Sequence, residues 1–235
     1  QSQGKEITES QLEMFQRYEF TREEWFEIKR KCEEEDILFL STPQNKSDLE
    51  LLLKLGIPAI KVGSDDLTNL PLLKDYCSTD LPIILSSGMA NLEEVDEALR
   101  TVGALDGYPT ILLVTTSEYP TPAENVNLLK FKTLSEKYPD LILGFSDHTQ
   151  GTLASSLAIA MGSCVFEKHF TDDNERDGPD HKFSMNPNTW KDMVERSKEL
   201  YLSLGSYEKK IEDNELQSSL VQRRILRFTK DLSQN

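Results

Sequence analysis

The sequence is poor in cysteine and histidine and has no long apolar segment. Its three cysteines, Cys32, Cys77 and Cys164, are odd in number and far apart, so they make neither a disulfide framework nor a CxxC metal pair. No apolar run approaches the roughly 20 residues that a membrane span needs, and the polar start QSQGKEITES lacks the apolar core of a signal peptide. These absences predict a cytoplasmic protein with reduced thiols and no membrane association.

Basic residues are also scarce. The 235 residues include 26 Lys and Arg against 41 Asp and Glu, a formal net charge of −15, and no basic stripe is long enough for a nucleic-acid partner. The excess acid is concentrated in stretches typical of solvated helix faces, CEEED at 32–36 and LEEVDEA at 92–98. With 37% apolar residues, the chain is long enough for one large α/β domain with a real core.

Strand-like and helix-like segments alternate along the chain. Helical patterns at 47–56, 91–100, 127–139 and 152–162 separate the strand-like runs, and another helix is expected at 187–204. This order is typical of βαβ units and a parallel sheet. The β-branched and aromatic runs predict six strands: ILFLS (37–41), AIKVGS (59–64), PIILSS (82–87), TILLVTT (110–116), LILGFS (141–146) and SCVFEKHF (163–170).

Nearly every predicted strand ends in a polar cluster. The carboxyl ends of the strands of a β/α barrel form one rim, whereas a doubly wound sheet brings together only the few ends at its switch point. Six successive strands with polar clusters at their carboxyl ends therefore favour a partial TIM-type barrel. A six-stranded doubly wound sheet is the competing architecture.

Two of the three histidines lie at matching ends of neighbouring predicted strands. Side chains alternate along a strand, so Ser146 and His148 share a face, as do Glu167 and His169. If both faces point inward, two imidazoles meet at one point, which suits a divalent transition metal whose shell is completed by oxygens of water or substrate. From these residues alone, hydrogen-bonded rim histidines without a metal are an equal alternative.

Lys61 lies within a β-rich run, where a solvated lysine is unusual. Pointing inward, it would bind a phosphate or carboxylate, with hydrogen bonds from Thr42, Ser64 and Ser86. Taken alone, a lysine that extends to solvent from an edge strand is the more common case. The segment 177–181 (DGPDH) is a turn by composition, and taken alone it is a plain loop.

Read together, these segments resemble the sialic acid (N-acetylneuraminate) synthase family, which includes the legionaminic and pseudaminic acid synthases and the spore-coat polysaccharide synthases. The resemblance extends from about residue 12 to about residue 228, and SDHT followed by EKHFT and GPDH at this spacing is its most specific part. The matching stretches are FLSTP (39–43), KVGSDDLTNLPLL (61–73), PIILSSGM (82–89), TSEYPTPAENVNL (116–128), GFSDHT (144–149) and EKHFTDDNERDGPDHKFSMNP (167–187).

The resemblance implies a reaction that joins phosphoenolpyruvate to the open-chain aldehyde of an N-acylated sugar, such as N-acetylmannosamine, and releases phosphate. It implies that His148 and His169 bind the divalent metal, Mn²⁺ with Mg²⁺ or Co²⁺ as alternatives, and that Tyr119 and Asp180 lie near the sugar. Asp66 stands where the family often has Glu, in a role tied to water or proton handling. The positions that match the phosphoenolpyruvate site are Thr42, Lys61, Ser64, Ser86 and Ser146.

The resemblance also implies parts that this chain lacks. In the family two further strands precede the first run, and an antifreeze-like (SAF) domain begins near residues 230–232, so residues 1–222 are expected to be a partial (β/α)8 barrel and 223–235 a linker. Many members read His-Cys-Thr where this chain has Val114-Thr115-Thr116. A homodimer is expected for a full-length form. The alternatives are an inactive partial barrel that keeps a phosphate or sugar pocket, and another barrel aldolase.

Overall fold

A computed structural model describes residues 10–227, 229 and 230. Its sheet has five parallel strands, and each pairs with the next along the chain in the order β1-β2-β3-β4-β5. This order has no reversal and therefore no switch point, which excludes the doubly wound alternative within the described residues. The strands are β1 (Ile60–Val62), β2 (Ile83–Ser86), β3 (Thr110–Thr115), β4 (Ile142–Asp147) and β5 (Val165–Lys168).

Helices connect the strands and cover one side of the sheet. Among the described residues, none combines the length and apolarity that a bilayer crossing requires. The helices are α1 (Gln11–Tyr18), α2 (Arg22–Glu34), α3 (Lys46–Leu55), α4 (Leu70–Cys77), α5 (Leu92–Thr101), α6 (Ala123–Val126), α7 (Lys130–Lys137), α8 (Leu153–Ala160), α9 (Pro187–Leu204) and α10 (Leu216–Gln222).

Local capping explains where several helices begin and end. The Thr21 side chain accepts from the Glu24 backbone amide and starts α2, and Asn91 accepts from two amides at the start of α5. Gly56 ends α3 in the left-handed conformation at φ 70°, as the sequence predicts for a glycine C-cap. Helix α4 was not predicted, although Asn69 caps it and Pro71 lies in its first turn.

The predicted first strand, 37–41, is wrong. No ladder forms along this segment in the described part of the chain. Its Ile37 amide instead donates to the Cys32 carbonyl at the end of α2, and Phe39 is buried with its ring 6.0 Å from that of Trp25. A β-rich composition produces a strand only where a neighbouring backbone pairs with it, and β1 pairs with β2 alone.

The sheet curves into a half-barrel. Neighbouring strands lie about 4.8 Å apart, so the outer strands of a flat five-stranded sheet would be roughly 19 Å apart. Yet Lys61 Nζ on β1 lies 3.5 Å from Glu167 Oε2 on β5. The two outermost strands therefore face each other across the inside of an arc.

The two faces of the arc differ in chemistry. Val62, Leu85, Leu112 and Leu143 are in register across four strands and are buried under the helices. The inner face is apolar near the start of the strands and polar at their carboxyl ends, where Thr115, Ser146 and Glu167 are in register. At the polar end of the inner face, the predicted site residues Lys61, Ser86 and Ser146 lie on the same side of the sheet.

A buried ion pair links the ends of β4 and β5 on the helix-facing side. Lys168 Nζ lies 2.9 Å from Asp147 Oδ2 and donates to the Thr149 carbonyl at 2.7 Å, and both charged side chains are almost wholly buried. Asp147 also accepts from the Ser155 hydroxyl of α8 and from the Thr149 amide. Burial lowers the pKa of Lys168, and the carboxylate of Asp147 opposes this shift.

Replacing Lys168 with Met should destabilise the fold by about 3 kcal/mol or more, because it leaves the Asp147 carboxylate buried without its cation. The measurement is the free energy of unfolding in urea. Asp192→Asn, which breaks the exposed Arg196–Asp192 pair at 2.8 Å, is the matched control and should cost less than about 1 kcal/mol. Equal effects of the two substitutions would contradict the assignment of a structural role to the buried pair.

Candidate active site

Lys61 lies inside the arc, where its ammonium contacts its own strand β1 and the strands β2 and β5. Its ammonium donates to Ser86 Oγ at 2.8 Å and to the Val62 carbonyl at 3.1 Å, and it pairs with Glu167. Only 12% of its side chain is exposed. Burial lowers the pKa of Lys61, and the negative charge of Glu167 opposes that shift. The inward alternative, rather than a lysine extended to solvent, is the arrangement in the structure.

Ser146 and His148 follow each other on the inner face of β4 and just beyond it. The Ser146 hydroxyl donates to Glu167 Oε1 at 2.7 Å and lies 3.5 Å from His148 Nε2. His148 Nδ1 lies 2.8 Å from the Thr116 carbonyl, an acceptor only. That contact assigns the proton to Nδ1, so Nε2 carries the lone pair. Burial is the main cause that lowers the pKa of His148, which favours the neutral ring.

His169 stands beside His148 at the end of β5. The two ring centroids are 5.4 Å apart at an interplanar angle of 85°. His169 Nδ1 lies 3.3 Å from Asp180 Oδ2, so a proton on Nδ1 is shared with the carboxylate and Nε2 is again the nitrogen left for a ligand. The structure therefore brings the two predicted imidazoles together, and the hydrogen-bond contact recorded for an Nε2 atom of the pair is the long one of 3.5 Å from His148 to Ser146.

Aromatic side chains form one wall of this pair of histidines. The Tyr119 ring lies 4.2 Å from His148 and 5.6 Å from His169, and Phe183 lies 5.1 Å from His169. Burial, followed by the negative charges of Asp180 and Glu167, raises the pKa of Tyr119. The phenol therefore stays protonated at neutral pH and can donate a hydrogen bond to a ligand.

The loop after β5 holds Asp180 in place. Asn174 donates to the carbonyls of His181 and Ser184, and the Asp180 carbonyl accepts from the Ser184 hydroxyl and amide. The third histidine, His181, places Nδ1 2.8 Å from Thr171 Oγ1 and belongs to this loop network. The turn at 177–181 and the loop around it therefore hold the carboxylate that contacts His169.

The donor set fits a divalent metal held by two imidazoles and completed by other oxygens. Neutral imidazoles bind divalent first-row transition metals, and a carboxylate on the far nitrogen of His169 is a common support for such a ligand. Among residues 10–227, 229 and 230, no group of three His, Cys, Asp or Glu side chains is arranged around one point. The remaining ligands would therefore be water or substrate.

Three predicted residues make no recorded contact with Lys61, Glu167 or the histidine pair in the described structure. Ser64 Oγ accepts from the Gly88 amide at 3.1 Å, and a Cβ at Gly88 would lie 2.7 Å from that oxygen and closer still to Ser117 Oγ, so a larger residue would have to displace both hydroxyls. Asp66 Oδ1 accepts from Asn69, while its Oδ2 is buried without a partner in the described structure. Thr42 is half-buried, and within the described residues its hydroxyl makes no hydrogen bond.

The sequence did not assign a role to Glu167 or to the Thr116 carbonyl. Glu167 contacts both Lys61 and Ser146, and it shares a strand face with His169, which was a signal available from the alternation of residues. The backbone carbonyl of Thr116 had no such signal, because any residue type supplies it. The tautomer of His148 therefore could not be predicted from the sequence.

Comparison with known proteins identifies relatives across nearly the whole chain. The model of the NeuB family matches residues 1–209. The chain is 38% identical over 228 residues to the N,N'-diacetyllegionaminic acid synthase of Legionella pneumophila, a match that covers 95% of this chain and 64% of that protein. It is 39% identical to the protein of the same name in Campylobacter jejuni, with 95% of this chain and 67% of that protein covered.

A solved structure shares the fold. The N-acetylneuraminic acid synthetase of Leptospira borgpetersenii, in complex with citrate, superposes with a TM-score of 0.81 at 30% identity over 87% of this chain and 71% of that one. The chain spans less than two thirds of the length of the Legionella protein.

In chelator-treated protein at pH 7, His148 should be neutral and protonated on Nδ1, because burial lowers its pKa and the Thr116 carbonyl can only accept a proton. Long-range ¹⁵N–¹H NMR spectra distinguish the two tautomers, and the signal is assigned by its loss in His148→Gln. A pyrrole-type shift on Nε2 would contradict the assignment and remove that nitrogen as a ligand.

Proposed function

Because the chain belongs to the NeuB family, we propose that it contributes the active site of a synthase that condenses phosphoenolpyruvate with an N-acylated sugar aldehyde, giving a nonulosonic acid and phosphate. The observation that supports this most is the convergence of a buried lysine and a pair of imidazoles on one inner face. The first would bind the anionic substrate and the second would hold the metal at the aldehyde.

Lys61 is proposed as the main cation for phosphoenolpyruvate. It is buried and already fixed by Ser86, so little side-chain freedom is lost when an anion binds. The Ser146 hydroxyl lies on the same face and can donate to the same ligand once it is released from Glu167. Ser64 and Thr42 would complete this site at the rim after a rearrangement of their side chains.

His148 and His169 are proposed to hold the divalent ion, Mn²⁺ in preference to Mg²⁺ or Co²⁺, through their Nε2 atoms, since the Nδ1 atoms face Thr116 and Asp180. A bound ion of this type supplies Lewis-acid polarisation of a carbonyl oxygen, which contributes several kcal/mol to such reactions. The residues' own part is to fix the direction of the two lone pairs. Thr116 does so for His148, and Asp180 does so for His169.

The chemical steps follow from this placement of the substrates. The methylene carbon of phosphoenolpyruvate forms a bond to the aldehyde carbon, and the electrons of the C=O π bond move to the aldehyde oxygen, which takes a proton and becomes a hydroxyl. Water adds to the adjacent cationic carbon and gives up a proton. The bond from that carbon to the phosphate oxygen then breaks, the new hydroxyl loses its proton, and the products are a ketone and phosphate. Tyr119 is proposed to donate a hydrogen bond to the sugar, since its raised pKa keeps the phenol protonated. Asp66, with one buried oxygen that lacks a partner, is proposed to handle the water or its proton.

The proposal extends to the whole protein. The five strands would form one arc of an eight-stranded barrel, and an antifreeze-like domain with a homodimeric assembly would complete the sugar site, as implied by the family resemblance. The three free cysteines fit a reducing compartment, so we place the reaction in the cytoplasm.

A second candidate function is an aldolase that forms an imine at Lys61. The specific observation is the burial of Lys61, which lowers the pKa of its ammonium and makes a neutral amine more accessible. Borohydride trapping of a pyruvyl adduct on Lys61, without release of phosphate from phosphoenolpyruvate, would favour this alternative over the condensation.

Replacing His169 with Ala should abolish release of phosphate from phosphoenolpyruvate in the presence of Mn²⁺ and N-acetylated sugar, because one of two protein ligands is lost. The assay is done with a form that completes the barrel, and the product is identified by mass spectrometry. An unchanged thermal midpoint shows that the variant is folded. Undiminished turnover would reject the metal role of this histidine.

Asp180→Asn should weaken Mn²⁺ binding roughly tenfold to a hundredfold, because the amide no longer supplies the charge that orients and polarises His169. Calorimetric titration with Mn²⁺ measures the dissociation constant directly. Asp177→Asn removes the same charge from the same loop and is the matched control, with affinity expected to stay within about twofold of the original. Equal losses in the two variants would show that only the net charge of the loop matters.

A further inference from the structure

Glu167 occupies the groups that the proposed function assigns to the anionic substrate. One carboxylate oxygen pairs with Lys61 Nζ at 3.5 Å, and the other accepts from Ser146 Oγ at 2.7 Å. Together these contacts use the buried cation and the hydroxyl beside it. An anion cannot contact both groups unless the Glu167 side chain moves.

We propose that Glu167 is a specificity-determining residue, an internal anion that holds Lys61 and Ser146 until a ligand replaces its two oxygens with negatively charged oxygens of its own. This inference rests on the proposed function only for the identity of the ligand, an enol phosphate or carboxylate. The exchange breaks no covalent bond: one oxygen anion leaves the ammonium and another takes its place.

The burial of the three groups indicates which side chain moves. The Glu167 side chain is 43% exposed at the open side of the arc, whereas the Lys61 side chain is 12% exposed and Ser146 is 3% exposed. Lys61 is further held by Ser86 and by the Val62 carbonyl, and neither of those contacts involves Glu167. The carboxylate can therefore rotate into solvent while the cation and its hydroxyl neighbours stay in place.

The exchange favours anions because of the cost of an unpaired buried charge. A neutral ligand that displaced Glu167 would leave the Lys61 ammonium without a counter-ion in a largely desolvated position, which is unfavourable. A phosphate or carboxylate restores the pair in the same step. Glu167 thus lowers the affinity for every ligand that must displace it, and only an anion regains an ion pair with Lys61 in return.

The test compares Glu167→Gln and Glu167→Ala with the unchanged 235-residue chain. Binding of inorganic phosphate and of phosphoenolpyruvate is measured by calorimetry without sugar, so that turnover is not needed. Both variants should bind each anion roughly threefold to tenfold more tightly, the effect expected of removing one partly exposed competing charge. Glu136→Gln on α7, which removes an exposed charge paired with Lys132 at 3.8 Å, is the matched control and should change neither constant.

Each outcome bears on the role of Glu167, on the proposed condensation, or on both. Unchanged or weaker binding in both Glu167 variants would overturn the inference, as would an equal gain in Glu136→Gln. Absence of anion binding in every form would overturn it as well and would also remove the support for the proposed function. Tighter anion binding in a chain whose barrel-completed form never makes product would leave the inference standing and reject the condensation.

Discussion

The contact between Lys61 and Glu167 is the constraint on which the rest of the site depends. It joins the first and last strands of the described sheet, and it can form only because the sheet curves. The same curvature turns the carboxyl ends of all five strands toward one another. A lysine, a glutamate, two hydroxyls and two imidazoles then share a small region, although their strands lie far apart along the chain.

Along β4 and β5, adjacent side chains point to opposite faces of the sheet and have different roles. Asp147 and Lys168 face the helices and form a buried ion pair, while the histidines that directly follow them face the interior. The buried pair also bonds the backbone at Thr149, so the chain on both sides of His148 is held. The position of the imidazoles is therefore set from the outside of the arc as much as from the inside.

The two histidines have different supports, and this has a chemical consequence. His148 is oriented by a backbone carbonyl, which is neutral, while His169 is oriented by a carboxylate. A carboxylate partner makes the imidazole a stronger ligand for a metal ion than a carbonyl partner does. The rings of Tyr119 and Phe183 lie against the pair, 4.2 Å from His148 and 5.1 Å from His169 respectively.

Local patterns alone predicted five of the strands, the cap at Asn91, the glycine end of α3, and the shared faces of Ser146 with His148 and of Glu167 with His169. These features depend on residues that are close together in the sequence, so they can be predicted from local patterns. The sequence could not show that 37–41 lacks a pairing partner, that Thr116 selects the His148 tautomer, or that Glu167 lies on Lys61. Those facts depend on which distant backbones come together and on how far the sheet bends, and only the folded chain decides them.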